Sequence, residues 1–284
     1  FKTLPPWTHA KGTGAGARPA ILASGHYMIL PYLEQNSIYN QANGISWEAD
    51  LQRPLDISIP LSPNGPRAWY VQPPVIEPVM ENGFVGSIAR GGKVNFFQVN
   101  FNPHGNGTHT ETLGHIDPNQ FPISKWQGPY FSHALVLSLE PIKLDNGDDV
   151  ILWEQMAESV LAHSPESLII RTLPNDVYKR NKEYSNTNFP YLETEIGHQL
   201  NALGVQHLLV DLPSVDRESD EGKLSCHHAF WGFPSSPRME ATISEMIFVA
   251  DEITDGLYCL SLQPASFELD AAPSRPILYP VSKR

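Results

Sequence analysis

Three short apolar runs, separated by stretches of helical periodicity, constrain the fold of this chain more than any other feature. HALVLSLE (133–140), SLIIRTL (167–173) and QHLLVDL (206–212) carry little charge, as strands buried on both faces do. Between them lie DDVILWEQMAESVLAH (148–163), whose opening acids suit a helix dipole, and FPYLETEIGHQLNALG (189–204), which ends at Gly204; both are expected to be helices. Strand, helix, strand in succession implies a parallel sheet, so the expected class is α/β. Further strands are expected in DISIPLS (56–62), VNFFQVNF (94–101), TISEMIFVAD (242–251) and LYCLSLQPASFEL (257–269), the last two joined by the polar turn EITDG.

With 284 residues, 41% of them hydrophobic, the chain can bury a sizeable core. One domain over 54–284, preceded by an extension over 1–53, is the simplest division. The extension is Gly/Ala/Pro-rich at first, and its Tyr and Leu spacing predicts a short amphipathic helix over Met28–Tyr39. A net charge of −12 argues against nucleic acid, because phosphate binding needs clustered Lys and Arg. No apolar run approaches the roughly 20 residues that cross a bilayer, and FKTLPPWTHAKGTGAG lacks the apolar centre of a signal peptide. Two cysteines, Cys226 and Cys259, are too few for a disulfide framework. A cytoplasmic protein with no membrane partner is expected.

NPHGNGTHTETLGH (102–115) concentrates imidazoles and a carboxylate that no ordinary turn requires. Imidazole nitrogen and carboxylate oxygen bind zinc and similar ions, and catalytic sites take about three such ligands. His104, His109 and Glu111 offer that set. An extended chain would put His109, Glu111, Leu113 and His115 on one face. Gly105 and Gly107 would let the loop fold His104 back, and Thr108 could lock it. A second polar cluster, DLPSVDRESDEGKLSCHHAFWG (211–232), has Asp211 and Asp216 around a Pro-Ser turn and adjacent His227 and His228. Neighbours on a helix diverge, so one histidine is expected to face a metal while the other packs. Cys226 is read as a small apolar filler rather than a nucleophile. Glu245, set among Ile243, Met246, Ile247 and Phe248, is costly to bury unless it is paired or coordinates a metal. His133, His163, His198 and His207 have no ligand-like neighbours.

Four separated motifs together carry a resemblance: GTH at Gly107–His109, His115, DLPSVD at Asp211–Asp216 and TISEMIF around Glu245. In these the chain resembles the cyclase family of metal-dependent hydrolases, which includes bacterial kynurenine formamidase (arylformamidase) and isatin hydrolase. The resemblance implies a swivelling β/β/α fold, a mixed sheet with a β-barrel-like core and packed helices, forming a homodimer or higher homo-oligomer. It implies metal ligands at His109, Glu111, His227 and Glu245 and an acid/base histidine at His115. The family's first histidine aligns with Gly105, so its role passes to His104. The family's aspartate is Glu111 here, and Leu113 with Gly114 replaces the proline before His115. A divalent ion, zinc first and manganese second, and a small-molecule amide substrate follow. The implied reaction is arylformamidase-like, N-formylkynurenine to kynurenine and formate. A cyclic amide such as isatin is the alternative substrate, and a catalytically degraded metal-binding protein the alternative class. Trp69, Tyr70, Phe96, Phe97 and Trp231 are candidates to line a pocket for a flat aryl group or to pack the core.

Overall fold

A computed structural model describes residues 37–42, 45–119 and 121–283. Its main sheet has eleven strands: β1 (Ser37–Ala42), β2 (Ile45–Asp50), β3 (Leu55–Asp56), β4 (His109–Thr112), β5 (Phe131–Leu139), β6 (Ser167–Thr172), β7 (His207–Val210), β8 (Thr242–Glu245), β9 (Gly256–Ser261), β10 (Ala271–Pro273) and β11 (Ile277–Lys283). They run in the order β1-β2-β11-β9-β5-β6-β7-β8-β4-β10, with β3 on β11. Strands β5 to β8 are mutually parallel, and every other pairing is antiparallel. The mixed α/β class is as expected. Among the described residues the strand path is open, without a closed barrel.

Helices α1 (Ala157–His163), α2 (Thr194–Ala202) and α3 (Ser225–Trp231) lie in the connections between the parallel strands. The two-residue period of the strands explains the unbroken apolar runs. Leu168, Ile170, Leu208 and Val210 pack with Val160, Ile196, Leu200 and Phe230 of the helices. Ile169 and Leu209 point the other way, into a second cluster with Val136, Tyr258, Leu260, Ile247 and Leu278. Both faces are covered, so polar alternation is absent. In β2, Ala49 faces a smaller cluster with Cys259 and Val281.

Several elements differ from expectation. Of the helix expected over Met28–Tyr39, residues 28–36 lie outside the described residues and 37–39 belong to β1. The helix expected from Asp148 begins only at Ala157, because Val150 and Ile151 pair with Tyr191 and Leu192 in a small separate sheet. Strand pairing there outweighs local helical periodicity. The strand expected over 242–251 stops at Glu245, because Met246 turns into the left-handed region at φ 51°. Likewise, β9 stops at Ser261, and the chain loops back to β10. Phe97–Asn100 pairs with Val75–Pro78 in a two-stranded ribbon outside the main sheet. Phe96, just before it, and Phe97 are about half exposed. No helix among the described residues is long and apolar enough to cross a membrane.

The packing of α2 against α3 positions the site. Gly197 of α2 meets α3 so closely that a Cβ there would lie 2.8 Å from both Ala229 Cβ and Cys226 O. Gly197→Val is expected to destabilise the fold by about 1–3 kcal/mol through overpacking, read as a lower urea midpoint. An unchanged midpoint would show that the two helices slide apart freely.

Candidate metal centre

Two antiparallel strands supply the floor of the site. In β4, His109 and Glu111 are two residues apart and share a face, and His109 stands directly opposite Glu245 in β8. Gly107 enters the strand at φ 79°, and the hydroxyl of Thr108 accepts from Ile59 N and donates to Met246 O, locking the loop to the turn after Glu245. The expected one-face reading ends at Thr112. The chain then tightens into a 3₁₀ turn, Leu113–His115, capped by the Thr112 hydroxyl. Leu113 is buried in the core, and His115 reaches the site from the turn. Gly114 permits this bend, because a Cβ would lie 2.2 Å from Phe121 O.

His227 arrives on α3. The left-handed Leu224 before the helix supplies no side-chain cap; instead Asp216 accepts from the backbone N–H of Cys226 and His227. The same carboxylate accepts from His227 Nδ1 at 2.6 Å, so the opposite nitrogen, Nε2, faces Glu111 Oε1 at 3.0 Å. A carboxylate behind an imidazole is the usual means of orienting a metal ligand. As expected, the neighbouring His228 turns away, against Phe233. Cys226 is fully buried, and burial pushes its thiol well above the ordinary range, as befits a filler and not a nucleophile. Asp211 takes no part; it is buried with Lys179 and Thr172.

His104 completes the cluster. Its Nδ1 lies 3.1 Å from Glu111 Oε2 and its Nε2 lies 2.7 Å from Asp270 Oδ2. His115 Nδ1 is 3.2 Å from that Asp270 oxygen and 3.8 Å from Glu111 Oε2. The structure thus brings together all six residues singled out in the sequence: His104, His109, Glu111, His115, His227 and Glu245. Sequence reasoning missed Asp270, which sits in a featureless FELDAAP stretch. It also left Asp216 as a turn residue without a role. The reason histidine stands at 104 is visible: a Cβ at Gly105 would lie 2.6 Å from Val71 Cγ2 and 3.1 Å from Ala68 O. A side chain at 105 would have to displace Val71.

Electrostatics follow from this packing. Burial alone would lower the His104 pKa, but hydrogen bonds to Asp270 and Glu111 outweigh it and raise the value to about 10. His227 is likewise raised against its burial by Asp216 and Glu111. Burial would raise Glu111, yet the histidines around it, His115 foremost, hold it well below the usual carboxylate range. Without metal, protons on imidazole thus balance the buried carboxylates. His104 then contributes stability that is complete below its ordinary 6.5 and is lost as pH rises through about 10. Urea midpoints of metal-stripped protein are expected to fall across that window; a flat profile would show that His104 carries no such proton.

The donor set fits a divalent cation. His109 is fully buried, and its Nδ1 is engaged by Gly107 O. Its Nε2 lies 3.3 Å from Glu245 Oε2 but makes no hydrogen bond to any protein group. An orphaned buried nitrogen beside carboxylates is costly unless something binds it. Ligand atoms of His109, Glu111 and Glu245 lie within 4.8 Å of one another, and so do those of His104, Glu111 and His115. Glu245 is 3% exposed and also accepts from Val215 N, so it is no solvent-facing strand carboxylate.

A cleft of about 380 Å³ opens onto this cluster, with Glu111, His115, His227 and Glu245 at its base. Trp69 and Leu224 stand in its walls, both with positive φ, and Arg217 lies at the rim beside Asp148. Of the five aromatics expected near a substrate, only Trp69 lines the cleft; Tyr70 is 66% exposed, and Trp231 is a core residue.

In comparison with known proteins, residues 55–217 match the model of the Cyclase family. That match includes His104, His109, Glu111 and His115 and ends before His227. No curated protein sequence matches the chain. Among solved structures, a potential metal-dependent hydrolase with cyclase activity is similar, with TM-score 0.58 and 14% identity over 80% of this chain and 97% of that one. Isatin hydrolase A from Labrenzia aggregata, bound to benzyl benzoate, gives TM-score 0.58 and 12% identity over 80% and 93%. Isatin hydrolase A from Ralstonia solanacearum gives 0.57 and 15% over 80% and 91%. At such identities the likeness speaks for the fold.

Proposed function

The chain belongs to the Cyclase family, and from that premise we propose that it is a metal-dependent hydrolase of carbon–nitrogen amide bonds, arylformamidase-like in its substrate. The observation that carries the reading is the orphaned His109 Nε2, fully buried beside Glu111 and Glu245, two carboxylates that themselves line a cleft wide enough for a small aryl amide. His104, His109, Glu111, His227 and Glu245 would hold zinc or manganese, with Glu111 central, since its oxygens face both His104 and His227. A divalent ion supplies, when bound, Lewis acidity and a water acidified towards roughly pKa 7.

The remaining work falls to the chain's own groups. His115 lines the cleft, and Asp270 engages its Nδ1, leaving Nε2 to accept a proton from the attacking water and deliver it to the departing amine nitrogen. Asp216 keeps His227 oriented through Nδ1. Trp69 offers a flat face for an aryl ring. Arg217, half exposed at the rim although paired with Asp148, offers a cation to the carboxylate of N-formylkynurenine. Isatin, which lacks that carboxylate, makes no use of it. For this reason N-formylkynurenine is preferred over a cyclic amide.

The test is metal content of protein purified without added metal, alongside hydrolysis of N-formylkynurenine and isatin before and after chelation. One or two bound divalent ions and chelator-sensitive release of formate are expected. Metal without turnover of either compound would favour a catalytically degraded binding protein, and absence of metal would overturn the centre itself.

A further inference from the structure

His104 is held the opposite way round from His109 and His227, the two buried imidazoles of the site. His109 and His227 are each engaged at Nδ1, by Gly107 O and by Asp216, and so present Nε2 to the site. At His104 it is Nε2 that is engaged, 2.7 Å from Asp270 Oδ2, while Nδ1 faces Glu111 Oε2 at 3.1 Å. Resting on the metal-centre reading above, we propose that Asp270 is a positioning residue for the site: it keeps a proton on His104 Nε2, so that His104 ligates through Nδ1, and with the same oxygen it aligns His115.

The geometry gives this arrangement a cause. Gly105 is crowded by Val71 and Ala68, and the imidazole comes from 104, one residue earlier on the loop. The displaced ring meets the cluster through the nitrogen nearer its own backbone, and its far nitrogen then needs an acceptor. Asp270 supplies it from a secured position. Its carbonyl accepts from both Thr112 N and Thr112 Oγ1, and the next residue, Ala271, pairs with Glu111 across β10 and β4. Asp270 Oδ2 also lies 3.2 Å from His115 Nδ1, and the rings of His104 and His115 stand 4.4 Å apart at 35°. One carboxylate oxygen thus sets both rings, with the ligand-side nitrogen of His104 towards Glu111 and Nε2 of His115 left over for proton transfer. An outer carboxylate of this kind is typically worth 10–100-fold in metal affinity.

The experiment compares zinc-loaded wild type with Asp270→Asn and Asp270→Ala. Long-range ¹H–¹⁵N spectra report which histidine nitrogens carry protons and which bind zinc, with His104 assigned from the His104→Gln variant; zinc affinity is measured by competition with a chelating dye. In wild type, His104 is expected to bind zinc through Nδ1 and keep its proton on Nε2. Asp270→Asn is expected to weaken zinc by roughly 10–100-fold and to lower kcat with KM unchanged. Circular dichroism establishes that each variant is folded; should Asp270→Ala fail there, the nearly isosteric Asn variant carries the test. Zinc bound to wild type through His104 Nε2, or a zinc affinity in Asp270→Asn within about twofold of wild type, overturns the proposal while leaving the metal centre standing. A wild type that takes up no zinc overturns both.

Discussion

Replacing His115 by Asn is expected to lower kcat by about 10²–10⁴-fold, the usual contribution of a positioned acid/base, while bound metal is retained. The geometry offers His115 two occupations, and this variant separates them. Its Nδ1 is 3.2 Å from Asp270 and lines up with a proton-transfer role through the other nitrogen. Yet the same Nδ1 is 3.8 Å from Glu111 Oε2, and His104, Glu111 and His115 form one of the two groups whose ligand atoms lie within 4.8 Å of one another. Were His115 a ligand, the Asn variant would lose metal together with turnover. Proton transfer is the stronger reading because Asp270 is the nearer partner of His115 Nδ1, 3.2 Å away against 3.8 Å for Glu111, which leaves Nε2 for the cleft that His115 lines. Elemental analysis and single-turnover formate release on one preparation decide the matter, and coordinate loss of both would remove His115 from the acid/base role.

What could be read from the residues alone follows from how local the determining physics is. The parallel strands were legible because both of their faces are buried, which leaves runs such as SLIIRTL without polar alternation. The ligand candidates were legible because imidazoles and carboxylates cluster within short segments, and because Glu245 stands inside an apolar strand. Non-local pairing hid the rest. Residues 149–151 have helical periodicity, but strand partners forty residues downstream capture them. The turn that carries His115 depends on Gly114 meeting the backbone of Phe121. Asp270 is 155 residues from His115, in a stretch with no compositional signature, and only the folded sheet brings it to the site. Phe96 and Phe97 are close in sequence to the motif, whereas in the fold they are half exposed at the start of the ribbon and do not line the cleft.

Glu111→Gln is expected to weaken zinc by more than the 10–100-fold typical of an outer-shell partner, with turnover falling below detection. Glu111 is the one carboxylate common to both groups of candidate ligands, with Oε2 towards His104 and Oε1 towards His227. An amide can present an oxygen to only one of them, and its nitrogen repels a cation where the second carboxylate oxygen stood. The metal-free protein separates this effect from a general loss of structure. There the charge of Glu111 balances imidazoles whose pKa values are raised, so removing it leaves buried cations uncompensated and is expected to cost about 3–5 kcal/mol at neutral pH. As pH rises through about 10, His104 gives up its proton in the wild type and the charge of Glu111 has less to balance. The stability gap between variant and wild type should therefore narrow with rising pH, while the deficit in zinc affinity persists. A gap that stays constant across that range would mean that Glu111 acts through packing alone, and zinc binding equal to wild type would remove it from the centre.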